Sequence, residues 1–382
     1  MQKMSPLFVL SLSATLLMLG VGMIVALLPQ RVHEMTGSIE SVGLVASVFA
    51  LAYLLAQLPI GFLSDRLGVL PFLLIGYGLC AVSGVVFYRS NAAGGIYIGR
   101  VIQGLGEAPI WALGPAVLSL AYPAAKGRVI GIYNAAIHAG LTAGPLLGLL
   151  IAPSGQGRLP YLVFAVLCST AGLCVLLFLK SASAPLAPNP ASAQGLLKIL
   201  RQKPALALLA GVLVYGAGYG AFLTILPVSL AITHGFSATA VSLFFVLFYA
   251  AISISQIAAG AISDRIGRRG FLVWGMALAA AGLGVYPACP GLWAFLPLGL
   301  ASIGLGMFCV ASIAELNESV PDSLKGTISG SYFFFWGAGY VLGPLTIGAL
   351  GAGSSFSGFG TLAALFGVQA LAIWLIRNQT SD

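Results

Sequence analysis

Apolar residues run through the chain in long blocks, separated by short breaks rich in Gly, Pro, Ser or charged residues. Because a helix that crosses the hydrocarbon core needs about 20 apolar residues, the blocks predict spanning helices. The first block is too long for the core of a signal peptide, so it predicts a retained span. The twelve predicted spans are 7–28, 39–62, 70–89, 95–121, 129–152, 160–179, 206–230, 239–262, 270–288, 293–316, 327–350 and 356–376.

Composition supports the same class of protein. Of the 382 residues, 59% are hydrophobic and only 7% are charged. A soluble domain of this length needs a charged surface, whereas a chain surrounded by lipid needs polar residues only at its ends and along an aqueous path. The fold class that we predict is therefore an all-α membrane protein with 12 transmembrane helices.

The basic residues predict the orientation of the chain, because Lys and Arg are retained in the cytoplasm. An even number of spans puts both termini on one side of the membrane. With the termini inside, the outer segments hold only Arg31, Arg89 and Arg158 of the 17 Lys and Arg, and Arg100 falls within span 4. The inner segments hold Lys3, Arg66, Lys126, Arg128, Lys180, Lys198, Arg201, Lys203, Arg265, Arg268, Arg269, Lys325 and Arg377. We expect a multi-pass protein of the cell (inner) membrane with cytoplasmic termini, and the basic balance requires no nucleic-acid partner.

The chain repeats itself at an offset of 199 residues. The pairs that share this offset are Gly61 and Gly260, Asp65 and Asp264, Arg66 and Arg265, Gly68 and Gly267, Lys126 and Lys325, Gly131 and Gly330, Gly140 and Gly339, Gly144 and Gly343, and Pro145 and Pro344. The repeat predicts two pseudo-symmetric six-helix halves, residues 1–180 and 205–382, joined by a cytoplasmic linker at 181–204 that ends in a basic amphipathic segment. Parallel halves of this kind are typical of secondary transporters that bind substrate near the midplane.

Three motifs resemble those of the major facilitator superfamily, and within it those of the drug:proton antiporter branch. "GFLSDRLG" at 61–68 and "GAISDRIGRRG" at 260–270 resemble the loop signature that follows spans 2 and 8, although Val69 and Leu70 stand where the family usually has basic residues. "RVIQGLGEA" at 100–108 is similar to the Arg-x-x-Gln-Gly pattern of span 4. Gly131, Gly140, Gly144-Pro145 and Gly148 match the antiporter signature of span 5. The resemblance implies the major facilitator fold and export by alternating access.

The repeated residues also predict moving parts. Glycines four apart give a helix one smooth ridge that a second helix can approach closely, although Gly and Pro are common in spanning helices in any case. Asp65 and Asp264 lie at the inner ends of spans 2 and 8, where a carboxylate can meet the positive N-terminal end of another helix. Pseudosymmetry pairs Asp65 with the start of span 11 and Asp264 with the start of span 5; the alternative is a solvated loop turn. The predicted gating residues are Gly61, Asp65, Arg66, Gly68, Gly140, Gly144, Pro145, Gly260, Asp264, Arg265, Gly267, Arg268, Gly343 and Pro344.

Ionisable residues inside spans predict the site itself. Arg100, Gln103 and Glu107 share one face of span 4, and His138 lies in span 5. We expect Glu107 to couple transport to protons with His138 as its partner; the alternatives are a permanent ion pair between Arg100 and Glu107 and a packing role for His138. The predicted substrate-binding residues are Arg100, Gln103, Asn134, Tyr215, Tyr219, Tyr332, Phe335 and Trp336, although aromatic stripes more often serve packing.

Enzymatic functions find no support, because the sequence has no phosphate-binding Gly-Lys-Ser/Thr loop, no Ser/His/Asp arrangement and no metal-ligand spacing among its five cysteines. We therefore predict a transporter without metal or cofactor, a monomer whose partners are a small-molecule substrate, protons and the lipid bilayer. The first hypothesis is proton-coupled export of an amphipathic or drug-like molecule. The alternatives are a proton-coupled symporter or exporter of a small polar metabolite or metal-chelating compound, a facilitator for uptake, and a non-transporting membrane sensor or scaffold.

Overall fold

The computed structural model describes residues 4–25, 27–37, 39–152, 157–179, 202–232, 234–351 and 355–378. These residues form thirteen α-helices and three short 3-10 segments. The α-helices are α1 (Pro6–Val25), α2 (Leu27–Thr36), α3 (Ile39–Leu67), α4 (Val69–Arg89), α5 (Ala93–Ala121), α6 (Lys126–Ile151), α7 (Leu159–Phe178), α8 (Lys203–Ile232), α9 (Ala238–Ile266), α10 (Arg269–Val285), α11 (Phe295–Glu318), α12 (Lys325–Gly351) and α13 (Ser355–Asn378).

Ten helical segments of the described chain are long and apolar enough to cross a membrane. They coincide with ten of the twelve predicted spans, which are thereby confirmed in length and composition. The other two predicted spans lie on α6 and α12, which have 26 and 27 residues but carry several glycines and polar side chains. Twelve crossings therefore stay a prediction. The break predicted after the first span contains a further helix, α2, and nearly all of the predicted linker lies outside the described residues.

The chain divides into two compact units. Unit 1 is drawn from Met1–Ala121, Tyr133–Ser192 and Asp322–Phe333, and unit 2 from Tyr122–Ile132, Ala193–Pro321 and Phe334–Asp382. Each unit thus contains most of one predicted half together with a short segment of the other. The segment that joins unit 1 is the start of α12, and the segment that joins unit 2 is the start of α6.

The glycine ridge of α6 packs against α1 within unit 1. A Cβ atom at Gly140 would lie 2.6 Å from the carbonyl oxygen of Thr15, and one at Gly144 would lie 2.5 Å from the carbonyl oxygen of Leu19. The equivalent ridge of α12 packs against α8 within unit 2, where a Cβ atom at Gly343 would lie 2.5 Å from the backbone of Ala217. No larger residue fits these approaches, so the ridges are close helix contacts, as their spacing predicts.

Two glycines of the predicted loop signatures end α3 and α9, which extend through most of each signature. Gly68 follows α3 with a φ of +83°, and Gly267 follows α9 with a φ of +94°. L-residues with a side chain rarely adopt this backbone region. The repeated glycines therefore turn the chain sharply into α4 and α10 just after Asp65 and Asp264.

Candidate functional site

A row of hydrogen-bonded polar side chains runs along the buried face of α5 in unit 1. Arg100 Nη1 donates to Gln103 Oε1 at 2.9 Å, and Gln103 Nε2 donates to Glu107 Oε1 at 2.8 Å. Trp111 Nε1 lies 3.5 Å from the second carboxylate oxygen, Glu107 Oε2. The residues recur at intervals of three and four, so one helix face carries all of them. We call this row the polar ladder.

Helix α3 contacts Arg100, at the N-terminal end of the polar ladder. Arg100 Nε donates to the carbonyl oxygen of Val45 at 2.9 Å, and its guanidinium carbon lies 4.3 Å from the centroid of the Phe49 ring. Gly104 permits this approach, because a Cβ atom there would lie 2.5 Å from the carbonyl oxygen of Phe49. The guanidinium is thus oriented by a carbonyl, an amide and an aromatic face.

Glu107 is buried, and both of its oxygens are bonded within its own helix. Gln103 lies between Arg100 and Glu107 and bonds to each, so the amide bridges the cation and the carboxylate. The alternative of a permanent Arg100–Glu107 ion pair stays open, because the bridge keeps the two charged groups near each other. A neutral bridging amide keeps the carboxylate near a positive charge without fixing its protonation state by direct contact.

Asn134 and His138 lie one turn apart on α6, also in unit 1, and both side chains are buried. The backbone carbonyl of His138 accepts the hydroxyl of Thr142 at 2.8 Å. The hydrogen bonds of Glu107 go to Gln103 and Trp111 rather than to His138. The pairing of Glu107 with His138 therefore stays a prediction.

Unit 2 contains a cluster of aromatic rings centred on Tyr219 of α8. Its ring centroid lies 6.0 Å from that of Tyr215, 5.4 Å from that of Phe248 on α9 and 5.6 Å from that of Trp336 on α12. Trp336 in turn lies 5.4 Å from Tyr340. We call these five residues the aromatic cluster. It brings together three of the predicted substrate-binding residues in edge-on contacts.

The remaining predicted aromatic residues lie elsewhere on α12. Tyr332 belongs to unit 1 and is buried, with its ring 5.2 Å from that of Phe333. The Phe333 ring lies 6.0 Å from that of Trp111, at the C-terminal end of the polar ladder. Phe335 belongs to unit 2 and contacts Phe334. The stripe of aromatic residues on α12 is therefore shared between the two units.

Asp65 caps the N-terminal end of α12 within unit 1. Its Oδ1 accepts the N–H of Gly326 at 2.7 Å, and its Oδ2 accepts both the N–H of Thr327 at 2.7 Å and the Thr327 hydroxyl at 2.5 Å. The helices meet closely because Gly61 has no side chain: a Cβ atom there would lie 2.6 Å from the carbonyl oxygen of Gly326. These are the partners that the repeat predicts, and we call this contact the first latch.

Asp264 caps the N-terminal end of α6 in the same way within unit 2. Its Oδ1 accepts the N–H of Gly127 at 2.9 Å, and its Oδ2 accepts the N–H of Arg128 at 2.9 Å. Gly260 lies against the backbone of Gly127, as Gly61 does against Gly326. We call this contact the second latch. In both latches the carboxylate meets free N–H groups and the positive end of a helix dipole.

The second latch also contains a paired cation, Arg268. Arg268 Nη2 lies 2.7 Å from Asp264 Oδ1 and 2.6 Å from Glu318 Oε1, and Arg268 Nε donates to Glu318 Oε2 at 3.0 Å. Burial by itself lowers the pKa of the Arg268 guanidinium, but its bonds to Glu318 and Asp264 outweigh that effect and leave the pKa above its ordinary value. We call Asp264, Arg268 and Glu318 the charged triad.

The other predicted gating arginines are exposed. Arg66 is exposed, with its guanidinium carbon 4.2 Å from the centroid of the Phe62 ring. Arg265, at the equivalent position of the repeat, is exposed as well. Both lie at the end of an apolar helix, where an exposed guanidinium suits the polar boundary of a membrane.

The family model of the Major Facilitator Superfamily matches the chain over residues 10–344 and 208–382. The chain belongs to the Major Facilitator Superfamily. It is therefore a multi-pass membrane transporter and not an enzyme, and the predicted family is confirmed.

Curated relatives agree with the predicted branch of the superfamily. The tetracycline resistance protein, class G, of Vibrio anguillarum is 27% identical over 350 residues, which cover 87% of this chain and 86% of the relative. The quinolone resistance protein NorA of Staphylococcus aureus is 24% identical over 367 residues, covering 90% and 89%. The fosmidomycin resistance protein of Escherichia coli is 24% identical over 339 residues, covering 86% and 81%. The resemblance to the drug:proton antiporter branch is thereby confirmed.

Solved structures of the superfamily share the fold. The human organic anion transporter MFSD10 superimposes with a TM-score of 0.81 at 17% identity, covering 96% of this chain and 98% of that one. The outward-facing structure of FucP superimposes with a TM-score of 0.81 at 16% identity, covering 97% and 98%. At these identities the similarity establishes the all-helical major facilitator fold.

Several residues at the site were not predicted from the sequence. Trp111 bonds to Glu107, Thr327 bonds to Asp65, and Glu318 completes the charged triad. A signal for Trp111 was present, because it continues the helical spacing of the polar ladder by four residues. Thr327 and Glu318 are far in sequence from their partners and carry no motif, so only the packing of the helices identifies them.

Proposed function

We propose that this member of the Major Facilitator Superfamily is a proton-coupled exporter of a small amphipathic or drug-like molecule that works by alternating access. Glu107 is the proton-coupling residue in this proposal, and the observation that carries it is the buried, amide-bridged carboxylate in the middle of α5. Burial of a carboxylate within a membrane costs free energy, so an ionisable residue in this position usually marks a functional site. The resistance-protein relatives support export as the direction.

The coupling follows from the environment of Glu107. The apolar surroundings of Glu107 disfavour its charged form. The positive charge of Arg100, which lies on the other side of the bridging Gln103, favours the charged form. A small change in hydration or in the position of the Arg100 guanidinium therefore shifts the equilibrium between the protonated and the charged form of Glu107. In the proposal, substrate and proton alternate at Glu107, and His138 on the buried face of α6 assists the proton transfer.

The substrate class follows from the side chains in the two units, each considered by itself. In unit 1 the polar ladder, Asn134 and Tyr332 offer amide, guanidinium and phenol groups. In unit 2 the aromatic cluster and Phe335 offer large ring surfaces with few charges. The ring surfaces of unit 2 suit an aromatic or lipophilic molecule, and the amide and guanidinium groups of unit 1 suit a polar or charged group.

The two latches supply the conformational part of the proposal. Each joins a helix of one sequence half to the first turn of a helix of the other half, so each contact breaks when those helices separate. We propose that the latches hold the cytoplasmic end closed while substrate leaves on the other side. The glycine ridges of α6 and α12, with Pro145 and Pro344, are the contacts along which the helices move in this proposal.

Glu107→Gln tests the coupling. We expect purified Glu107→Gln in proteoliposomes to lose uptake of ethidium, a hydrophobic aromatic cation, when a pH gradient is imposed. Counterflow of ethidium without a gradient is expected to persist, because the amide retains the shape and the bond to Gln103. Glu34→Gln is the matched control, since Glu34 is an exposed carboxylate on α2. Full gradient-driven uptake by Glu107→Gln would remove Glu107 from the coupling role.

The substrate class is tested separately with a binding panel on the purified wild-type protein. We expect ethidium and other hydrophobic aromatic cations to bind and small polyacids such as citrate to fail. The reverse result would favour the polar-metabolite alternative, in which the Arg100 guanidinium takes a carboxylate. Arg100→Gln would then abolish citrate binding, because Gln cannot form the paired bonds that a guanidinium forms with a carboxylate.

The orientation remains part of the proposal and rests on the distribution of Lys and Arg. Ala92, before α5, and Ala124, before α6, are exposed residues that the proposal places outside and inside, respectively. In a cysteine-free background, an impermeant maleimide applied to intact cells should label Ala92→Cys and spare Ala124→Cys. Labelling of Ala124→Cys alone would show that the orientation is the reverse of the proposed one.

A further inference from the structure

Two glutamines occupy equivalent places next to the latches. Gln57 on α3 and Gln256 on α9 are 199 residues apart, which is the offset of the repeat. Each precedes the aspartate of its latch by eight residues, which is slightly more than two helical turns, so the glutamine and the aspartate share a face. The two glutamines are therefore related by the same pseudosymmetry as Asp65 and Asp264.

Both glutamines lie where two helices cross at backbone distance. In unit 1 a Cβ atom at Gly330 of α12 would lie 2.5 Å from the carbonyl oxygen of Gln57. In unit 2 the equivalent Gly131 of α6 lies against the carbonyl of Gln256. Each latch and its neighbouring crossing thus bring together the same pair of helices, with the glutamine two turns further along the contact.

The two amides are buried without adequate hydrogen bonding. The exposed fraction of the side chain is 0% for Gln57 and 1% for Gln256. Within the part of the chain that the structure describes, neither Nε2 nor Oε1 of Gln57 has a hydrogen-bond partner, and Oε1 of Gln256 has none. A buried amide atom without a partner disfavours the conformation that buries it by about fivefold to 150-fold in population.

We propose that Gln57 and Gln256 are positioning residues that oppose the two latches. The latches stabilise the packed crossings through the aspartates, and the buried amides destabilise the same crossings because they find partners only when the helices part. The two effects act on the same helix pairs with opposite sign, which keeps the packed and separated states close in population. This inference rests on the proposed role of the latches in the transport cycle.

Replacement of the amide by an apolar side chain of similar shape tests the inference. Ser64, which is buried beside the first latch, is replaced by Cys as a reporter in a cysteine-free background. Its rate of alkylation by N-ethylmaleimide in everted vesicles measures how often the crossing of α3 and α12 opens. We expect Gln57→Met to slow alkylation at least fivefold and to slow ethidium transport. Gln57→Leu is a second variant that is expected to shift the rate in the same direction.

The latch variants make the result specific. Asp65→Asn alone should accelerate alkylation, and the pair Asp65→Asn with Gln57→Met should return the rate toward that of the parent. Gln369→Met is the control: Gln369 is also a buried glutamine of a spanning helix, but its Nε2 donates to the carbonyl oxygen of Ala207 at 2.6 Å. That variant is expected to lose thermal stability without changing the alkylation rate.

The outcomes separate the two ideas. Unchanged or faster alkylation in Gln57→Met and Gln57→Leu, together with faster alkylation in Asp65→Asn, would overturn the role of the glutamines and leave the latch intact. Unchanged alkylation in Asp65→Asn would overturn the latch itself. At the second crossing, the same experiment with Ser263→Cys and Gln256→Met is expected to give the same sign and a smaller slowing. In the described part of the chain, one buried amide atom of Gln256, Oε1, is without a partner, compared with two in Gln57.

Discussion

The two latches share their backbone geometry but differ in how the charge of the aspartate is balanced. Asp65 accepts three hydrogen bonds from uncharged donors, including the Thr327 hydroxyl. Asp264 accepts two from the backbone and pairs with Arg268, which also binds Glu318. At the repeat positions of Arg268, Glu318 and Arg128, the first latch has Val69, Ser119 and Thr327.

The two latches differ at all three of these positions. Position 69 carries no cation, so an acidic residue at position 119 would have no partner there. The Thr327 hydroxyl donates the third hydrogen bond to Asp65, as Arg268 does to Asp264. The departure of the first loop signature from the family pattern is thus matched elsewhere in the fold. The same aspartate and helix end are stabilised by neutral donors in one latch and by an ion-pair network in the other.

The largest expected effect comes from breaking the charged triad. Arg268→Met leaves Asp264 and Glu318 close together without the cation that joins them, and removal of one partner of a buried pair costs about 3–5 kcal/mol. Glu318 keeps a weaker partner, because Lys126 Nζ lies 4.0 Å from Glu318 Oε1. We expect the lower end, because the side chain of Glu318 is 37% exposed. The melting temperature of the purified protein in detergent and the rate of ethidium transport should both fall.

A double variant checks the cause. Glu318→Gln added to Arg268→Met should recover part of the loss, since it removes one of the two repelling charges. Equal losses in the single and double variants would mean that Arg268 acts through packing rather than charge.

A smaller effect is expected in the first latch. Thr327→Val removes the hydroxyl that donates to Asp65 and retains both backbone bonds, so we expect a loss of about 1.5 kcal/mol, typical of a hydrogen bond to a charged group. The measurement is the alkylation rate of Ser64→Cys. The matched change in the second latch is Arg128→Ala, which keeps the backbone N–H and is expected to change the corresponding rate at Ser263→Cys by less than twofold. A large effect of Arg128→Ala would show that the two latches do not differ as described.

The smallest change in stability is expected when the charged residues of the triad are introduced at the equivalent positions of the first latch. Val69→Arg with Ser119→Glu rebuilds the charged pair beside Asp65, and the net change should stay within about 1 kcal/mol because the desolvation cost offsets the attraction. The informative readout is the salt dependence of Ser64→Cys alkylation, which should be weak in the parent and stronger in the double variant. If salt has no effect in the double variant, the neutral and charged latches are equivalent.

Most of the long-range plan of this protein can be predicted from its residue pattern. Hydropathy is a local property, so it located the spans, and ten of them are confirmed as candidate membrane helices. The offset of 199 residues related the halves and thereby predicted the partners of Asp65 and Asp264 before any contact was known. Helical spacing alone placed Arg100, Gln103 and Glu107 on one face of α5.

Helix packing sets which side chains meet between helices. The Thr327 hydroxyl on Asp65, Glu318 on Arg268 and the division of the aromatic residues of α12 between two units depend on how each helix is rotated and tilted. Rotation and tilt are set by packing against all neighbours at once, and a residue pattern along one helix does not contain them. The position of Gln103 as a bridge has the same origin, because α3 holds the Arg100 guanidinium against Val45 and Phe49.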